Sequence, residues 1–280
     1  MERLKEILGS RKFQTRLLSG IIMVALAVLL ISRGGILLFA TMILISMCGL
    51  FELYRVVKIE SEPLGIIGYL GGLIYYGLMW NNEGRYSMPV MIGVVMALLA
   101  VFVFTYPRYR TEQVSVSLFG IFYVVVMFSY IYRVRVMPDG FWLVWLVVIS
   151  SWGCDTCAYV VGMLFGKRHF APILSPKKTV AGAIGGAIGA GLLGVIYASF
   201  FGAQMEEIAN PQIACFFACA AAGAISQIGD LAASAIKRDH DVKDYGDIIP
   251  GHGGVLDRFD SMLFTAPAIC FALFLYGQFV

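Results

Sequence analysis

The chain of 280 residues is 59% hydrophobic and only 14% charged, with a net charge of +3 and a mean hydropathy of +0.81. An ordinary soluble domain carries roughly 45–50% apolar and about 25% charged residues, so a water-soluble core cannot absorb this excess. Repeated apolar runs long enough to cross a bilayer exclude a soluble globular fold and predict a single helical membrane body.

The expected fold class is all-α, a polytopic integral membrane protein with about nine transmembrane helices and a cytoplasmic N-terminus, since backbone groups find no water inside hydrocarbon. Spans are predicted near residues 17–32, 36–54, 64–80, 88–106, 115–132, 141–164, 180–202, 211–236 and 261–279. The first run follows Arg11, Lys12 and Arg16 and has the outline of a secretory signal. Arg33-Gly34-Gly35 and another long span follow it without a small-residue cleavage site, which predicts a retained helix. Of the 21 Lys and Arg, the outward connections hold only Arg33, Arg85, Arg133 and Arg135, which orients nine spans with the N-terminus inside and the C-terminus outside. Within this one membrane body, residues 1–149 read as N-terminal helices and 150–280 as the catalytic region with a cytoplasmic loop.

In the sixth span, Ser151, Asp155, Tyr159, Gly162 and Gly166 recur at helical spacing. The cysteines Cys48, Cys154, Cys157, Cys215, Cys219 and Cys270 all fall in apolar segments and read as buried thiols. Cys154-x-x-Cys157 and Cys215-x-x-x-Cys219 lack the surroundings of a zinc framework. Ahead of the seventh span stand Lys167-Arg168-His169 and Ser175-Pro176-Lys177-Lys178-Thr179. Here Ser175 is the expected N-cap, Pro176 the first helical residue, and the lysines either anion ligands or topology markers. Gly182, Gly185, Gly186 and Gly189 predict close helix packing, with room for a head group as the alternative.

Asp230 lies inside the eighth span, where a carboxylate costs on the order of 3 kcal/mol unless paired, hydrated or bound to a cation. Gln227, Asp230, Ser234 and Lys237 share its helix face, so Asp155 and Asp230 predict a shared polar cavity; a structural hydrogen bond is the alternative for Asp155. The densest run follows, with Lys237-Arg238, Lys243-Asp244, Pro250-Gly251-His252-Gly253-Gly254 and Asp257-Arg258-Phe259-Asp260. Carboxylates for a hard cation, glycines for backbone approach and cations for phosphate are the recurring parts of nucleotidyl transfer. Asp230, Asp257 and Asp260 are the candidate metal ligands, and Lys237, Arg238, Lys243 and Arg258 the candidate phosphate ligands. Asp239, Asp241 and Asp247 read as a solvated loop. A cation-coupled transporter using Asp155 and Asp230 is the rival, but it leaves the His-Gly-Gly-x-x-Asp-Arg-x-Asp element without a role.

The segment SAIKRDHDVKDYGDIIPGHGGVLDRFD, from Ser234 to Asp260, closely resembles the signature of phosphatidate cytidylyltransferases, also called CDP-diacylglycerol synthases. Ser226 to Asp230, Asp155 to Tyr159, Phe165-Gly166-Lys167 and Ser175 to Thr179 are similar to further elements of that family. The resemblance covers about residues 150–280; upstream it is one of hydropathy. Ala181 departs from the Glu or Gln usual there, which puts a local polar contact in doubt.

The resemblance implies condensation of CTP with phosphatidic acid, giving CDP-diacylglycerol and pyrophosphate, with Mg2+ as cofactor and a second cation left open. Catalysis would fall to Asp230, Asp257, Asp260, Lys237, Arg238, Lys243, Asp244, His252 and Arg258. Substrate binding would fall to Asp155, Tyr159, Lys167, Ser175, Lys177, Lys178, Thr179, Ser234, Gly253 and Gly254. The expected setting is a bacterial cytoplasmic membrane with the active site at its inner face. Membrane lipids surround the chain there, a homodimer is the expected assembly, and no nucleic acid is expected among the partners.

Overall fold

The computed structural model describes residues 11–251 and 253–279, with side chains for 18–251 and 253–277. His252 lies outside the described residues. Nine helices are present among them: α1 (Arg11–Arg33), α2 (Gly35–Val56), α3 (Pro63–Trp80), α4 (Ser87–Phe104), α5 (Thr111–Val136), α6 (Gly140–Phe165), α7 (Val180–Phe201), α8 (Pro211–Asp239) and α9 (Leu256–Phe279). No β-strand occurs among the described residues, only the isolated bridges His169 to Thr179 and Ile249 to Gly253.

Helices α2 to α9 are long and apolar enough to cross a bilayer, and the described apolar part of α1 is Leu18–Arg33. The chain is thus an all-helical polytopic membrane protein, as its composition predicts. The breaks follow local chemistry. Gly34, at φ 63°, is the single residue between α1 and α2, a left-handed conformation that glycine adopts without a β-carbon clash. Pro63 and Pro211 open α3 and α8, where a missing N–H costs nothing.

Two departures from the expected boundaries concern the site. Helix α9 starts at Leu256, not near 261, so Asp257 and Asp260 occupy its first turns. Helix α7 starts at Val180 and is capped by Thr179, whose hydroxyl accepts from Gly182 N at 3.1 Å; Ser175 is not the cap. The reason is the turn that Ser175 opens: its carbonyl accepts from Lys178 N at 3.1 Å, and Val180 N donates to Arg168 O at 2.8 Å, holding 168–179 as a folded-back loop.

The helices form two compact units. The first takes in the chain up to Phe122 together with Val242–Arg258. Its polar contacts run between helices: Tyr54 donates to Ser117 O (2.6 Å), Ser117 to Leu64 O (2.8 Å), and Ser46 pairs with Tyr76 (2.7 Å). All four side chains are fully buried. Interhelical hydrogen bonds in membranes average about 0.6 kcal/mol each, so these fix helix register more than they add stability.

The second unit takes in Tyr123–Asp241 and the chain from Phe259 on. Its centre is α7, seated between α6 and α8. Gly185 and Gly189 abut Val161 and Cys157 of α6, while Gly191 and Gly194 abut Phe216 and Cys215 of α8. The glycine face is therefore used for packing, as its spacing predicts. A β-carbon at Gly186 would stand 2.9 Å from Cys154 O, a backbone atom that cannot swing aside. Gly186→Leu is expected to cost at least the ~1–3 kcal/mol of overpacking, read as a lowered unfolding temperature in detergent. An unchanged unfolding temperature would mean that α6 and α7 can separate freely.

Candidate active site

The second unit holds a cavity of about 170 Å³ lined by Asp155 and Tyr159 of α6, Lys177, Lys178 and Thr179 before α7, and Gln227 of α8. Local structure explains the convergence. A π-helical turn at Ile149–Gly153 directly precedes Cys154 and Asp155, resetting the helix register at a point where such turns often serve function. The Thr179 cap and the folded-back loop deliver Lys178 to the head of α7. Gln227 spans the wall, its amide donating to Ala183 O at 2.9 Å. Gly182, which lines the cavity, lets α7 approach α6 closely, because a β-carbon there would lie 2.7 Å from Ala158 O.

Lys178 Nζ stands 2.5 Å from Asp230 Oδ2, with side chains 22% and 31% exposed. The nitrogen itself is buried and the contact is one of charge, outside hydrogen-bonding angles. Asp155 feels the charges of both Lys178 and Asp230. Asp260, 9% exposed, feels those of Asp230, Lys237 and Asp155. Gly229 makes this possible, since a β-carbon there would meet Asp260 O at 2.9 Å and Phe264 at 2.6 Å. Of the two carboxylates expected to share a polar cavity, Asp155 lines it together with Lys178, whereas Asp230 adjoins it through its pairing with Lys178 and Asp260 lies outside the lining.

Asp155, Asp230 and Asp260 offer hard oxygen donors, the kind magnesium takes through one or two carboxylates with substrate phosphates completing the shell. As placed, no three His, Cys, Asp or Glu side chains among the described residues close on one cation. Two carboxylates plus phosphate still suit the ion, which would compete with Lys178 for Asp230. The cysteines remain free thiols.

The remaining candidates fall into two groups. Ser234 and Lys237 are half-buried along α8, Arg238 is exposed beyond them, Lys167 is exposed and Ser175 half-buried in the folded-back loop. In the first unit, Lys243, Asp244 and Arg258 are exposed, whereas Gly254 and Asp257 are buried. Asp257 Oδ2 accepts from Tyr245 N (2.8 Å) and Gly254 N (3.1 Å), and Gly253, at φ 93°, lies against Asp257 and Asp244. Asp257 therefore organises the Gly-rich loop through Oδ2.

Sequence reasoning missed Glu52 of α2. It is 1% exposed and accepts from Val255 N and Leu256 N, each at 2.8 Å. The signal was available, for Glu52 is a carboxylate inside an apolar span, the criterion that singles out Asp230.

The sequence profile of the cytidylyltransferase family matches residues 14–276, nearly the whole chain. This chain belongs to the cytidylyltransferase family. It is similar to proteins named phosphatidate cytidylyltransferase from Bacillus subtilis (31% identical over 94% of this chain and 98% of the relative) and Staphylococcus saprophyticus (33%, over 91% and 97%). A Synechocystis protein of the same name is 31% identical over 91% of this chain and 94% of its own. Family membership makes the chain a nucleotidyltransferase and removes the transporter reading. It also extends the likeness to the N-terminal half, where sequence inspection found only hydropathy in common.

Proposed function

We propose that this enzyme transfers the cytidylyl group of CTP to phosphatidic acid at the inner face of a bacterial cytoplasmic membrane. The observation that carries the reading is a cavity in a membrane-spanning unit lined by Lys178 and Asp155, with Asp230 paired to that lysine. A lipid phosphate brings negative charge to the bilayer surface, and a site that accepts it needs fixed cations there, while carboxylates would repel it unless they hold a cation. The relatives' name supplies the acceptor.

In this reading a phosphate oxygen of the lipid attacks the CTP α-phosphorus. A new phosphorus–oxygen bond forms, the bond from the α-phosphorus to the α–β bridging oxygen breaks, and pyrophosphate leaves on that oxygen with the electron pair. Lys177 and Lys178 hold phosphate oxygens in the cavity and offset the charge that gathers during transfer. Asp230 keeps the Lys178 ammonium in place until phosphate replaces it. Asp155, Asp230 and Asp260 would hold magnesium, which supplies Lewis-acid stabilisation of the phosphates. The signature loop contributes Lys243, Asp244, Asp257 and Arg258 to the same reaction on the strength of its sequence.

The decisive experiment is pyrophosphate release by the purified protein in detergent, with CTP, phosphatidic acid micelles and magnesium each omitted in turn. Release that needs all three is the expected result. Release independent of phosphatidic acid, or a folded protein silent with diacyl and ether lipid phosphates alike, would overturn the reading. With equal amounts of the two acceptors, the diacyl lipid is expected to give more product.

A further inference from the structure

Glu52 is a buried carboxylate near the end of α2, and among the described residues no Lys, Arg or His pairs with it. Its oxygens are divided between two backbone donors, Oε1 accepting from Val255 N and Oε2 from Leu256 N at 2.8 Å each. These are donors at the start of α9, which an intrahelical partner cannot satisfy, and a carboxylate there also meets the positive end of the helix dipole. The loop on either side is shaped to this carboxylate. A β-carbon at Gly246 would stand 2.7 Å from Glu52 Oε1, and one at Gly254 would stand 2.7 Å from both oxygens. Neither glycine has a positive φ, so glycine is needed at both for space. Inside the loop, Ile249 and Gly253 exchange backbone hydrogen bonds of 2.9 and 3.2 Å, and Asp257 gathers Tyr245 N and Gly254 N. Two buried carboxylates, one from each end of the sequence, thus fix the segment from Tyr245 to Leu256.

A capping residue alone would not need such a design. Helix ends are routinely capped by a Ser, Thr, Asn or Asp adjacent in sequence; this one is capped from 203 residues away by a group that costs free energy to bury. We infer that Glu52 is a positioning residue for cytidylyl transfer: it clamps the signature loop by the backbone N–H groups of Val255 and Leu256 and so sets where Asp257 and the Gly-rich turn stand during the reaction. The inference rests on the cytidylyltransferase reading above. It adds a residue of the N-terminal half to the reaction.

The test uses the full-length protein and compares Glu52→Gln and Gly246→Ala with wild type. Glu52→Gln keeps the shape but turns one oxygen into an amide that faces a backbone donor. Gly246→Ala leaves Glu52 intact and pushes on its carboxylate. Both are expected to lower kcat for pyrophosphate release about 10- to 100-fold per folded molecule, as misplacement of reacting groups does. KM for CTP should move by less than about threefold, because the loop's error falls on the transfer step. Amide hydrogen exchange at Val255 and Leu256 should speed up in Glu52→Gln. A purely structural Glu52 would lower the amount of folded protein while leaving kcat per folded molecule unchanged, and that outcome overturns the inference. Should Glu52→Gln fail to fold, Gly246→Ala decides alone, and wild-type kcat in it overturns the inference equally. A wild-type protein with no lipid-dependent release would instead sink the functional reading and leave the exchange result to stand by itself.

Discussion

Asp257→Asn is expected to lower pyrophosphate release by at least about 100-fold while leaving the protein folded and inserted, the scale on which losing one preorganised electrostatic group acts. The structure separates the two effects. Asp257 Oδ2 holds Tyr245 N and Gly254 N, and the amide oxygen of asparagine can accept both bonds, so the loop keeps its frame. What disappears is the negative charge on a side chain only 7% exposed. A residue serving only to shape the loop would tolerate that change; one that holds a cation or balances phosphate charge would not. The measurement is turnover at saturating magnesium beside an unfolding curve in the same detergent. Retained turnover with an unaltered curve would remove Asp257 from the chemistry and leave it a loop organiser.

The contrast between Asp257 and Glu52 shows what the sequence makes legible and what it hides. Helices are readable because a bilayer forces every long apolar run into one conformation, so hydropathy alone finds α2 to α8 nearly to their ends. Asp155 and Asp230 are readable because carboxylates in such runs are expensive, and Lys178 stands beside both, lining the cavity with Asp155 and pairing with Asp230. The start of α9 is not readable from hydropathy. Leu256-Asp257-Arg258-Phe259-Asp260 is too polar to count as a span, yet it is helical because Glu52 satisfies its first donors. That partner lies in another helix of the same unit, and no local pattern announces it. The same holds for the cap of α7. Ser175-Pro176 is a sound local start signal, but the backbone bond from Val180 N to Arg168 O folds the chain back and moves the start to Thr179. The π-helical turn before Asp155 likewise has no signature in residue type, since packing against α7 and α8 selects it.

The ion pair of Lys178 and Asp230 allows a second large effect to be assigned to chemistry and not to folding. Removing one member of a buried pair strands the other charge, at a cost of about 3–5 kcal/mol for full burial. Here both side chains keep some exposure, 22% and 31%, and water reduces that cost. Lys178→Met and Asp230→Asn should each lower the unfolding temperature, and the double variant, which strands neither charge, should recover most of it. Activity should behave in the opposite way. Lys178→Met removes a cation that phosphate needs and is expected to cost about 100-fold or more in kcat/KM for CTP. Asp230→Asn should cost at least as much, because it also removes a carboxylate suited to magnesium. The double variant should then be no more active than the worse single one, although it is the more stable protein. Recovery of activity together with stability would mean that the pair only holds α8 to the head of α7. Stability restored without activity would mean that the chain buries this pair for the reaction, at the expense of its fold.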